Sequence, residues 1–114
     1  MNNVKKILST LMITLFFASS ISIAIAAEPF TSDGNDRKGK YLFRKSCRTC
    51  HDGSSAKELS PNSKTQAQWT RTFEKHERLE CKDEWAKHAH SELNDIYTYL
   101  YSHGYDSPQP ATCQ

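Results

Sequence analysis

Cys47-Arg48-Thr49-Cys50-His51 constrains this 114-residue chain more than any other stretch. Two thiols lie across one helical turn, and the next residue sets an imidazole beside them. This C-x-x-C-H spacing is that of covalent haem attachment, in which the thiols add to the two vinyl groups of one haem and the imidazole ligates its iron. Two other chemistries use the same cysteine pair. A thioredoxin-like redox pair sits at a helix start in a βαβ context, which this sequence lacks. A zinc site needs a second ligand pair, whereas Cys81 and Cys113 are isolated. The motif therefore reads as a single haem c held by Cys47 and Cys50, with His51 as metal ligand.

The start of the chain reads as an export signal. Lys5 and Lys6 precede an apolar run from Ile7 to Ile25, which closes on the small-x-small pattern Ala24-Ile25-Ala26. Cleavage is expected after Ala26. An uncleaved membrane span is the alternative, because the run approaches the roughly 20 residues that cross a bilayer; the alanine ending and the interspersed serines favour cleavage. The expected domains are thus 1–26, the signal peptide, and 27–114, the folded domain, with no integral membrane segment left after cleavage. Of 15 Lys+Arg against 13 Asp+Glu, the excess is Lys5 and Lys6, so the remaining domain is balanced. It has no basic patch, and no nucleic-acid partner is expected.

The remaining domain is short and poor in aliphatics, with one Ile and neither Val nor Met after Ala26. A core this thin needs a large apolar group or a covalent staple to complete it. A first helix is expected from Asn35 or Asp36 to about Ser46, with Gly39 allowing a close backbone approach. A loop follows over 52–63. A second helix is expected from about Lys64 to Arg78, capped by Ser63 with Gln66 completing the capping box. Its wheel puts Trp69, Phe73 and His76 on one face. One further turn surrounds Trp85, and a last helix runs from about Glu92 to Ser102 with Ser91 as N-cap, stopped by Gly104. The tail from Asp106, with Pro108 and Pro110, is not helical throughout. No segment alternates with a period of two, and the fold class is all-α.

With these elements in view, the sequence resembles the class I cytochrome c family. Gly39-Lys40-Tyr41-Leu42-Phe43-Arg44-Lys45-Ser46-Cys47 is similar to that family's N-terminal helix. Ile96-Tyr97-Thr98-Tyr99-Leu100 is similar to its C-terminal helix, which crosses the first at the glycine and packs aromatics there. Ser60-Pro61-Asn62 resembles the loop whose proline carbonyl accepts the proximal imidazole N–H. The resemblance thus implies that Pro61 orients His51, the outer support a haem ligand needs. The family's distal methionine has no counterpart, since the only methionines are Met1 and Met12, both in the signal. A Met/His haem is not expected, nor the higher potential that methionine confers.

The sixth iron position then falls to His76, His88 or His90, His103, a lysine or nothing. His76 is the first choice, on the apolar face with Trp69 and Phe73. His88 and His90 lie nearer the place of the family's methionine loop. Cys81 and Cys113 are expected to join in a disulfide, as leftover thiols of an exported protein usually do, tethering the tail. Trp69 and Trp85 are candidates for the haem edge, or for donating to a propionate. Lys38, Lys40 and Lys45 could form a docking surface. No acid, base or nucleophile set for an enzyme is recognisable. The expected function is one-electron transfer in the periplasm or outside the cell. Its partners would be redox proteins, either other cytochromes or a membrane oxidoreductase. The rival reading is a haem-based gas sensor with an open distal site.

Overall fold

The computed structural model describes residues 27–112; residues 1–26, expected to be a signal peptide, and Cys113 and Gln114 lie outside the described residues. Among the described residues the regular structure is helical, with no strand, in agreement with an all-α chain. None of their helices is long and apolar enough to cross a membrane.

Helix α1 spans Asp36–Leu42, and Asn35 caps it by accepting the Lys38 N–H on its side-chain oxygen at 3.0 Å. The helix does not continue as an α-helix to Ser46. Over Phe43–Cys47 it widens into a π-type turn, in which the Arg48 N–H reaches back to the Phe43 carbonyl at 3.1 Å. Such single wide turns occur often at functional sites, and this one leads directly into the cysteine motif.

Helix α2 spans Gln66–Glu74 and is capped by Thr65, not Ser63. Thr65 and Gln68 form the reciprocal box, with the Gln68 N–H on the Thr65 hydroxyl and the Thr65 N–H on the Gln68 amide oxygen. Ser63 is instead consumed in a 3₁₀ turn over Pro61–Ser63, where its hydroxyl accepts the Ser60 N–H. The helix also ends earlier than its apolar wheel suggests. Lys75 leaves the helical region, and His76–Arg78 form a separate 3₁₀ turn. Helix α3 is the short Lys82–Trp85 turn, and α4 spans His90–Ser102, beginning after Ala89 with no side-chain cap.

The closest packing in the molecule is α1 against α4 at Gly39. A Cβ built on Gly39 would lie 1.9 Å from the Asp95 carbonyl oxygen and 3.0 Å from Tyr99 Cβ, so only glycine admits this approach. Phe43 and Tyr99 meet beside the crossing at 5.9 Å between ring centroids. Tyr41, two residues before Phe43, faces outward and is 60% exposed. The lead-in is strapped to α4 by polar bonds: Gly34 N–H to Thr98 Oγ1 at 2.9 Å and Asn35 N–H to Asp95 Oδ1 at 2.8 Å.

Aromatic rings supply much of the core volume that aliphatics do not. Phe43, Trp69, Phe73, Tyr97 and Tyr99 are buried with Leu42, Leu93, Ile96 and Leu100. Phe73 is the hub, edge-on to Tyr97 at 5.1 Å and to Trp85 at 4.7 Å, geometries that suit the ring quadrupoles. The tail folds back over the end of α4, where Ala111 donates to the His103 carbonyl and accepts from the Asn62 amide.

Candidate haem-binding site

A cavity of ≈ 360 Å³ opens where the motif, α2, α3 and α4 converge. The motif contributes Cys47, Cys50 and His51, and α4 contributes Leu93, Ile96 and Leu100. Trp69 and Phe73 of α2 and Leu79, Cys81, Trp85 and His88 around α3 complete most of the wall. This volume lies in the usual range for small-molecule and cofactor sites. Its lining is apolar apart from a few groups with specific chemistry.

His51 is oriented by its own loop. Its Nδ1 lies 2.8 Å from the Lys57 carbonyl oxygen. A carbonyl can only accept, so Nδ1 is the donor in this bond and Nε2 is the nitrogen that can offer a lone pair when the ring is neutral. The loop that delivers Lys57 is internally fastened. Gly53 takes a positive φ of 91°, and its N–H donates to the Ala56 carbonyl, while the Ala56 N–H returns to Cys50. The Asp52 carboxylate accepts the Ser54 N–H and hydroxyl, both at 2.8 Å, and the Ser55 N–H at 3.2 Å. Those donors, Ser54 first, pull the Asp52 carboxyl down to about 2.

The orienting carbonyl is therefore that of Lys57, which corrects the role expected of Pro61. The Pro61 carbonyl is occupied by the Trp69 indole N–H at 2.7 Å. Pro61 is buried as a support under Trp69 and does not border the cavity. The same bond removes Trp69 as a propionate donor and leaves its ring as cavity wall.

The Cys47 thiol is pushed up to about 11, chiefly by burial, with the neighbouring Cys81, Cys50 and Glu84 adding to it. A redox-active or zinc-bound sulfur needs the thiolate favoured, and here it is opposed. A thioether has no charged form to desolvate, so the environment suits that bond. Among the described residues no three His, Cys, Asp or Glu gather into a group that could hold a bare metal ion. The residues present fit a porphyrin: two attachment thiols, one ligand-ready imidazole and an apolar enclosure. Lys57 and Lys64 border the same cavity and can offset carboxylates.

The four remaining histidines separate clearly. His76, expected as the sixth ligand, does not border this cavity. Because α2 ends at Glu74, His76 turns away from the Trp69–Phe73 face, donates Nδ1–H to the Phe73 carbonyl at 2.7 Å and stacks on Trp85 at 5.1 Å. It belongs, with Phe30, His88 and His90, to a second depression. His90 stacks on Phe30 at 4.8 Å. His103 has both ring nitrogens engaged, one on Asp36 at 3.0 Å and the other on the Gln109 carbonyl at 2.9 Å. Only His88 of these four borders the cavity. Its Nδ1 meets Glu92 Oε2 at 3.2 Å, and that bond holds the Glu92 carboxyl below its usual range.

Cys81 forms no disulfide among the described residues and borders the cavity. Its expected partner Cys113 lies outside them. Of the motif-proximal lysines, Lys38 pairs with Asp95 at 3.3 Å and Lys45 lies over the Tyr41 ring. No protein-family model, curated protein or solved structure matches the chain.

Proposed function

We propose that this chain is an exported one-electron carrier with a single haem c, attached through Cys47 and Cys50 and ligated by His51. The observation that carries the reading is the His51–Lys57 bond of 2.8 Å, which occupies Nδ1 and leaves Nε2 as the nitrogen able to ligate, on a cavity wall shared with both cysteines of the motif. When bound, haem supplies a ferric/ferrous couple.

The protein's own contribution is enclosure and rigidity. Trp69, Phe73, Leu93, Ile96 and Leu100 present apolar side chains to the cavity, so few polar groups there must reorient when charge changes. The Asp52 turn and the Lys57 carbonyl hold His51 in one orientation. The partners on this reading are other redox proteins of the exported compartment.

The test is extraction of the purified protein with acidified acetone. Haem is expected to stay with the polypeptide, and Cys47→Ala combined with Cys50→Ala is expected to release it. Transfer of the colour from unmodified protein to the organic phase contradicts the proposal.

A further inference from the structure

The second axial position has no methionine to fill it after Ala26. We propose that His88 is the second iron ligand and that Glu92 is its positioning residue. The inference rests on the haem reading above and adds to it the distal half of the site.

Three observations converge on this pair. His88 is the one histidine outside the motif that borders the cavity containing Cys47, Cys50 and His51. Its Nδ1 is held by Glu92 Oε2 at 3.2 Å, and among the described residues its Nε2 has no hydrogen-bond partner. A carboxylate accepts only, so Nδ1 is the donor in this bond and Nε2 is the nitrogen that can present a lone pair to iron. This is the same arrangement that Lys57 gives His51, and metal-bound imidazoles characteristically have such an outer partner. The pair is also pre-set in the fold. His88 lies in the turn after α3 and Glu92 in the first turn of α4, four residues apart, so the helix start itself brings carboxylate and ring together.

The competing groups are weaker on the same criteria. His103 has no free ring nitrogen, and His76 and His90 are stacked on Trp85 and Phe30 at the second depression. Cys81 borders the cavity, but no side chain orients it there. Two imidazoles lack methionine's preference for ferrous iron, so the potential should lie below that of a Met/His haem of similar burial.

The experiment uses haem-loaded protein and reads absorption, electron paramagnetic resonance and midpoint potential. Unmodified protein is expected to be low-spin without carbon monoxide binding. His88→Ala is expected to become high-spin in the ferric state and to bind carbon monoxide in the ferrous state, with added imidazole restoring the low-spin spectrum. His88→Met guards against mere misfolding, because it should gain the near-infrared band of methionine ligation and a higher potential. Glu92→Gln should stay low-spin but titrate at a higher potential, since a neutral amide makes the ring a weaker donor. His76→Ala should change none of these. A low-spin His88→Ala spectrum overturns the assignment, as does loss of the low-spin form in Cys81→Ser alone. A high-spin unmodified protein overturns it as well. All three leave the haem reading intact; that reading fails separately, on extractable haem.

Discussion

At the residue scale, Gly39 and Trp69 give the sharpest tests of the packing. Alanine at an exposed helical glycine would stabilise by about 1 kcal/mol through propensity. At Gly39 the added methyl would sit 1.9 Å from the Asp95 carbonyl oxygen, a backbone atom that no rotamer change can move. Overpacking of roughly 1–3 kcal/mol or more therefore dominates. Gly39→Ala should lower the thermal midpoint of the haem-loaded protein, and an unchanged or higher midpoint would contradict the crossing geometry. Trp69→Phe keeps a ring in the cavity wall but leaves the Pro61 carbonyl without its 2.7 Å donor. A loss of about 1–3 kcal/mol in chemical denaturation is expected, with the haem spectrum little changed.

The same scale shows what the sequence could convey about the site. Cys47, Cys50 and His51 were legible because their spacing is local and the chemistry needs that spacing. The supports were not. Pro61 and Lys57 both place a carbonyl a short way downstream of His51, and only the tight Asp52–Ala56 turn decides between them. His76 and His88 differ in whether a helix continues past residue 74, which a 3.6-residue wheel assumes and cannot test. The useful signal for His88 was Glu92 at i+4, a carboxylate–imidazole pair at helical spacing.

At the scale of elements, Gly39 announced a close approach, the resemblance to class I cytochromes c implied that the last helix makes it, and the structure has that crossing. The caps were harder, because Ser63-x-x-Gln66 and Thr65-x-x-Gln68 carry the same box pattern two residues apart. Thr65 prevails because Ser63 is engaged with Ser60 in the 3₁₀ turn and Lys64 is extended, with φ −139° and ψ 153°. Thr65→Ala should therefore cost about 1 kcal/mol of stability, measured by thermal unfolding. Equal stability of Thr65→Ala and the unmodified protein would return the cap to another residue. The π-type turn over Phe43–Cys47 left no signature in the sequence, since a widened turn uses the same residues as an ordinary one.

At the scale of the whole molecule, the cavity is large against the size of the domain. Its wall is made by core side chains, Phe43, Trp69, Phe73, Leu93, Ile96 and Leu100 among them, which a large apolar group would cover. The aromatic core alone is thus a thin basis for a rigid fold. The chain produced without haem should lose its near-ultraviolet circular dichroism and its cooperative melting while retaining some helix. A sharply melting haem-free chain would contradict the role assigned to the cavity.

Covalent attachment of a haem to this protein would show in its intact mass under denaturing, reducing conditions. Protein recovered from the exported fraction should show the mass of residues 27–114 plus one haem. The Cys47→Ala, Cys50→Ala variant should show the polypeptide alone. A bare polypeptide mass for the unmodified, haem-matured protein would contradict the account.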